Sequence, residues 1–144
     1  MRFALRPMTI RDYAEVIHLW QSAEGVHAGE DDSRRSISSF LRRNPGMSLV
    51  AQDGRQLVGA VLCGHDGRRG YLHHLAVAPS HRREGIGRAL VERCLAKLHA
   101  RGVRKCRILV LSGNRRGRAF WRALGWVWPP EVTLMMKNLD EEGC

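Results

Sequence analysis

The chain has 144 residues, 44% hydrophobic and 26% charged, the proportions of a globular domain long enough to bury one core. Its longest apolar stretch, "LVGAVLC" at 57–63, is too short to span a membrane, and "MRFALRPMTIRDY" lacks the apolar core of a secretory signal, so a cytoplasmic protein is expected. The net charge of +10 is lopsided: residues 1–67 hold eight Lys/Arg against eight Asp/Glu, and residues 68–144 hold sixteen against six, which directs attention to a polyanionic partner in the second half.

In chain order, "RFALRP" reads as a strand ending at Pro7. "TIRDYAEVIHLW" opens at Thr9 and repeats Ile10, Tyr13, Val16, Ile17 and Trp20 at helical spacing. The acidic link "EGVHAGEDDS" leads into a second helix, "SRRSISSFLRR", stopped by Asn44-Pro45-Gly46. "MSLVAQ", the turn "DGR" and "QLVGAVLCG" form a hairpin, and "YLHHLAV" is a further strand. From Gly85, apolar Ile86, Leu90, Cys94 and Leu98 recur every four residues until Gly102 ends the helix. "RKCRILVL" is a strand, "RRGRAFWRAL" a helix and "VTLMMKNL", at 132–139, a last strand. No repeat or linker interrupts this order, so one domain over 1–144 is expected. Cys63, Cys94, Cys106 and Cys144 show no CxxC spacing, which favours reduced thiols over a metal site or disulfide framework.

The stretch "LAVAPSHRREGIGRALV", 75–91, joins a strand to a helix inside a βαβ unit whose two strands should be parallel. The first N–H groups of a helix lack intrahelical partners, and the helix dipole puts partial positive charge there. Gly85 and Gly87 remove side chains, so a phosphate can come close to those donors, with Arg82, Arg83 and Arg88 around the mouth. A plain structural turn is the alternative.

These residues resemble the acyl-CoA-binding motif of the GNAT superfamily of N-acetyltransferases, Arg/Gln-x-x-Gly-x-Gly/Ala, met by Arg82, Gly85 and Gly87. The preceding "LAV" and the later "GN…AFWRALGW" also fit, and the acyl-CoA half spans about 68–128. The resemblance implies an α/β fold: a mostly antiparallel twisted sheet of six to seven strands, a parallel βαβ unit and about four helices. It implies acetyl-CoA as acyl donor, with no metal, and transfer to an amine by direct attack in a ternary complex. Backbone of Leu75, Ala76 and Val77 would pair with the pantetheine arm. Amides from Arg83 through Glu84, Gly85, Ile86 and Gly87 to Arg88 would hold the pyrophosphate, and Asn114 and the helix after it would meet the rest of the CoA arm. Where many members carry a general-acid tyrosine, this chain has Trp121, whose indole donates a hydrogen bond but shuttles no proton.

The attacking amine must shed a proton, and a group titrating near neutrality suits that task. On a regular strand, Tyr71, His73, Leu75 and Val77 share one face, and Leu72, His74 and Ala76 the other. His73 matches a histidine of the serotonin N-acetyltransferase branch and is the base candidate, with Tyr71 and His74 as weaker ones; a hydrogen-bonded strand histidine is the alternative. Glu24, Glu30, Asp31 and Asp32 stand where the resemblance places acceptor entry, although Asp31 and Asp32 read more simply as caps of the second helix. Trp20, Phe40 and Met47 are either an aromatic acceptor pocket or core. The rival readings are a CoA-binding member without catalysis and an arginine-rich nucleic-acid-binding protein, the latter opposed by 6% aromatic content and no recognisable motif. A homodimer is left open.

Overall fold

The structure, a computed structural model, describes residues 2–23, 25, 26 and 28–140. Strand β1 (Ala4–Pro7) leads to a 3-10 turn over Ile10–Asp12 and helix α1 (Tyr13–Ser22). A capping box builds this entrance: Asp12 accepts the Thr9 N–H at 2.8 Å and binds the Arg6 guanidinium through both oxygens at 2.6 and 2.9 Å. Burial alone would raise the Asp12 pKa, but the hydrogen bonds from Arg6 and Thr9 outweigh it and hold the carboxyl below its ordinary value. The stabilisation is therefore present above about pH 4 and lost as pH falls through the lower folded-state pKa. Asp12→Ala is expected to lower stability by about 1.5–3 kcal/mol at neutral pH. Urea unfolding checks this, and the gap to wild type should close in strong acid.

Helix α2 (Arg34–Arg43) starts at Ser33, whose hydroxyl accepts the Ser36 N–H at 3.1 Å. This corrects the assignment of its cap to Asp31 and Asp32. Ser33 directly precedes the first turn, whereas Asp32 closes a preceding 3-10 turn (Glu30–Asp32) and accepts the Gly29 N–H at 3.0 Å. Glu24, the remaining acid of that link with Glu30 and Asp31, lies outside the described residues.

β2 (Leu49–Asp53) and β3 (Gln56–His65) form the expected hairpin, turning through Gly54 at φ +61°. β4 (Gly70–Val77), α3 (Ile86–Ala100) and β5 (Cys106–Ile108) make the βαβ unit, and α4 (Arg115–Ala123) follows. Sheet order is β1-β2-β3-β4-β5, antiparallel except for the parallel β4–β5 pair. The mixed α/β sheet with a parallel unit is thus as the sequence predicts, with five strands among the described residues instead of six to seven. The strand expected over 104–111 pairs only at 106–108, and that expected over 132–139 pairs with nothing among the described residues. Strand propensity becomes a strand only where an edge receives it.

Helix α3 packs on β2, β3 and β4, and α1 on β3 and β4. Gly59 and Gly70 permit close approach: a Cβ at Gly59 would meet Ile86 Cγ2 at 2.9 Å, and one at Gly70 would meet Leu98 Cδ1 at 2.7 Å. Trp20 and Met47, left open above as pocket lining, are fully buried core, while Phe40 is half-buried. Among the described residues no helix is long and apolar enough to cross a membrane.

Candidate active site

The β4 strand does not keep its alternation. Ala60 pairs with Ala76, but Leu62 pairs with His73, so β4 carries one residue more than β3 between these rungs. The extra residue is taken up at a bulge where His74 adopts φ 55°, a left-handed conformation uncommon outside glycine. A residue held there costs about 1–3 kcal/mol and persists only when its surroundings fix it. Such a bulge re-aims side chains, and here the facing argument fails, because the cleft takes residues from both of the expected faces. His74, Leu75, Ala76 and Val77 all line a cleft of about 790 Å³; Tyr71 and His73 do not.

His74 is fixed from two sides. Its Nε2 lies 2.9 Å from Asp32 Oδ2, and its ring meets that of Trp20 edge-on at 4.9 Å. Asp32 is buried, and its Oδ2 also accepts the Gly29 N–H, while the Tyr13 hydroxyl donates to its backbone oxygen at 2.6 Å. With the carboxylate taking Nε2–H, the tautomer is set and Nδ1 keeps its lone pair.

His73 packs against aromatic rings instead. Its ring is parallel to Tyr71 at 6.1 Å and edge-on to Phe40 at 6.0 Å. Burial first, then the neighbouring His74, push its pKa below the usual histidine value, with Asp32 opposing weakly. The unfolded chain therefore takes up this proton first. Stability should fall as pH drops below about 6.5 and level off beneath the folded-state pKa. His73→Gln is expected to flatten that part of the stability–pH curve, read by thermal melting between pH 5 and 7.

Beyond the β4 carboxyl end, a 3-10 turn (Pro79–His81) leads into the helix α3 entrance. Arg83 at φ 64° and Gly85 at φ 84° are both left-handed, and no side chain caps the helix, so its first amides stay open. Arg82, Arg83, Gly85, Ile86, Gly87 and Arg88 line the cleft there; Glu84 does not. The two glycines differ. A Cβ at Gly85 would meet nothing within 4 Å, so its need is the positive φ. A Cβ at Gly87 would press on Phe120 Cζ at 3.2 Å, so this glycine lets α4 approach, a reason absent from the sequence reading.

Asn114 lines the cleft and caps α4, its Oδ1 accepting the Gly117 N–H at 2.9 Å. A Cβ on Gly25 or Gly117 would overlap its amide, so both glycines are moulded to it. Trp121 lines the cleft too, packed edge-on against Phe120 at 5.2 Å and Trp126 at 4.9 Å. Arg116, Phe120 and His81 are among the cleft residues that escaped the sequence reading. Arg116 follows the Asn114 cap and adds a fourth arginine, Phe120 sits against Gly87, and His81 bonds Asp53 Oδ2 through Nε2 at 2.8 Å. The basic pair after Asn114 was the available signal for the first. No three His, Cys, Asp or Glu side chains cluster to hold a metal among the described residues.

A strand end, an open helix N-terminus and four arginines meet on one cleft, an arrangement suited to a phosphate-bearing ligand. The chain belongs to the acetyltransferase (GNAT) family, whose model matches residues 13–126. "Acetyltransferase SG1711" of Sodalis glossinidius (strain morsitans) is 33% identical over 131 residues, 91% of this chain and 92% of its own length. The fold is similar to that of Ard1 from Thermoplasma volcanium, with a TM-score of 0.80 and 20% identity over 99% of this chain and 91% of that one. It is also similar to the PaiA N-acetyltransferase from Thermoplasma acidophilum, solved in complex with coenzyme A, with a TM-score of 0.75 and 18% identity over 86% and 89% of the two chains.

Proposed function

We propose that the protein transfers an acetyl group from acetyl-CoA to an amine by direct attack in a ternary complex. The observation that carries this reading is the α3 entrance: two left-handed residues, uncapped amides and Arg82, Arg83, Arg88 and Arg116 on one cleft. Amides from Arg83 to Arg88 hold the pyrophosphate, and the arginines supply charge for the phosphates. The backbone of Leu75 to Val77, beyond the bulge, receives the pantetheine arm, while Asn114 and Trp121 border it. The coenzyme A in the PaiA neighbour supports this choice of ligand.

His74, rather than His73, takes the acceptor's proton in this reading. His74 lines the cleft and is bonded to buried Asp32. Nδ1 accepts the proton as the amine nitrogen attacks the thioester carbon, and Asp32 stabilises the imidazolium that forms. The C–S bond then breaks and CoA leaves as thiolate, which takes a proton to give free thiol beside the new amide. No side chain at Trp121 can donate that proton, so it comes from His74 or water. The test is free-thiol release from acetyl-CoA across small amines, polyamines, amino acids and peptides. Amine-dependent release with matching amide product is expected; acetyl-CoA binding without transfer to any amine would leave a binding protein.

A further inference from the structure

Four chain segments come together at the end of the sheet away from the helix α3 entrance. The β3–β4 turn lies there, because His65 pairs with Gly70. Helix α2 ends beside it: buried Asn44 accepts the His65 N–H on Oδ1 at 3.1 Å. The end of helix α3 is tied to the same place, since the Arg101 guanidinium donates to the Pro45 carbonyl at 3.4 Å. The approach to β5 completes the group, with the Lys105 carbonyl accepting the Gly70 N–H at 2.8 Å. β4 runs for eight residues from this end towards the entrance, about 20 Å of extended chain.

Each segment delivers cations. Arg43 and Arg101 stand at the helix ends, Arg68 and Arg69 on the turn, and Arg104 and Lys105 before β5. Five of these side chains are exposed and Arg69 is half-buried. None forms an ion pair among the described residues, and none lines the cleft. The helix dipoles account for Arg43 and Arg101, which complement carboxyl ends. The other four lie outside the helices and have no such reason. The one carboxylate in these segments, Asp66, is occupied by backbone: its Oδ1 accepts the Arg68 and Arg69 N–H groups at 2.8 and 2.9 Å.

We propose that this basic pole docks the phosphodiester backbone of duplex nucleic acid. Five of the six cations are arginines, whose planar fork takes two phosphate oxygens at once. Backbone docking needs charge and no base readout, so it requires no recognition motif. Other polyanionic partners ask for what the pole lacks. A membrane surface takes inserted apolar side chains, a protein partner takes a central apolar anchor, and a single strand takes aromatic rings to stack on. Residues 43–46, 65–70 and 99–107 contain no Phe, Tyr or Trp, and none of the exposed large apolar side chains among the described residues falls there. The pole shares no residue with the cleft, so a docked duplex leaves the α3 entrance open. The proposal does not depend on the acetyl-transfer reading, since its test needs no turnover.

Fluorescence anisotropy with labelled DNA and RNA duplexes of about 20 base pairs tests this. Micromolar binding is expected in about 50 mM salt, with log affinity for DNA falling against log salt at a slope of about −5, the value for six neutralised phosphates. The duplex bound more tightly identifies the source, DNA or RNA. Arg68→Ala combined with Arg104→Ala removes two exposed side chains, so the variant should stay folded by circular dichroism. It should lose affinity by roughly tenfold or more and flatten the salt slope by about 2. The same charge change away from the pole, Arg35→Ala combined with Arg55→Ala, should leave affinity within about twofold of wild type. No binding to either duplex at low salt would overturn the proposal, and so would equal losses in the two variants, which assign binding to net charge alone. Displacement of the duplex by acetyl-CoA would overturn it by moving the contact to the cleft. Equally tight binding of polyglutamate, or of vesicles containing phosphatidylserine, would overturn it in favour of an acidic protein or a membrane.

Discussion

His74→Gln is expected to lower turnover by roughly a hundredfold or more while leaving acetyl-CoA affinity unchanged. The affinity should persist because the groups proposed to hold the donor, the β4 backbone from Leu75 and the α3 entrance, do not include the imidazole. The turnover should fall because the variant keeps a polar group near Asp32 but has no nitrogen that can accept a proton. Its rate should recover in part as pH rises and the amine deprotonates unaided. Asp32→Asn should act in the same direction and less, since Asp32 Oδ2 orients Nε2 at 2.9 Å without facing the acceptor itself. Because Asp32 also holds Gly29, the variant is to be compared by kcat against KM and by pH profile, which a general loosening of the α1–α2 link would not shift. His73→Gln is the control: its ring packs between Tyr71 and Phe40, and turnover should stay within a few-fold of wild type. The reverse outcome, His73→Gln inactive and His74→Gln active, would return the role to His73.

Gly85→Glu is expected to abolish acetyl-CoA binding in a folded protein. The position is open, with no atom within 4 Å of a Cβ built there, so a side chain meets no packed neighbour. Its backbone at φ 84° is strained for any L-residue, a cost of about 1–3 kcal/mol. The carboxylate would stand at the helix entrance, where its charge opposes a phosphate and competes for the same amides. Gly85→Ala separates the two effects, sharing the backbone strain without the charge. It should bind more weakly than wild type and far better than Gly85→Glu. Isothermal titration of the three folded proteins decides; equal affinity in all three would move the phosphate away from α3.

The α3 entrance was legible in the sequence because its chemistry is local. A strand, two glycines, arginines and a helical repeat occur within seventeen residues, and each feature acts where it stands. The His74–Asp32 pair was not, because its members are 42 positions apart and meet through a turn between two helices. The bulge at His74 depends on register against β3, and alternation along β4 alone does not reveal it. Gly87 shows a third kind of gap. The residue stands within the motif, yet it faces Phe120, which arrives from α4. The last strand was over-read for a related reason: "VTLMMKNL" has the composition of a strand, but pairing is a property of its neighbours.

The central claim is that the helix α3 entrance holds the pyrophosphate of acetyl-CoA. Backbone amide shifts followed by nuclear magnetic resonance during titration of the wild-type protein with acetyl-CoA test it most directly. Saturable shifts that are largest at the amides from Arg83 to Arg88 are the predicted result, with smaller ones along Leu75 to Val77. Saturable binding that leaves the amides of 83–88 unmoved would contradict it.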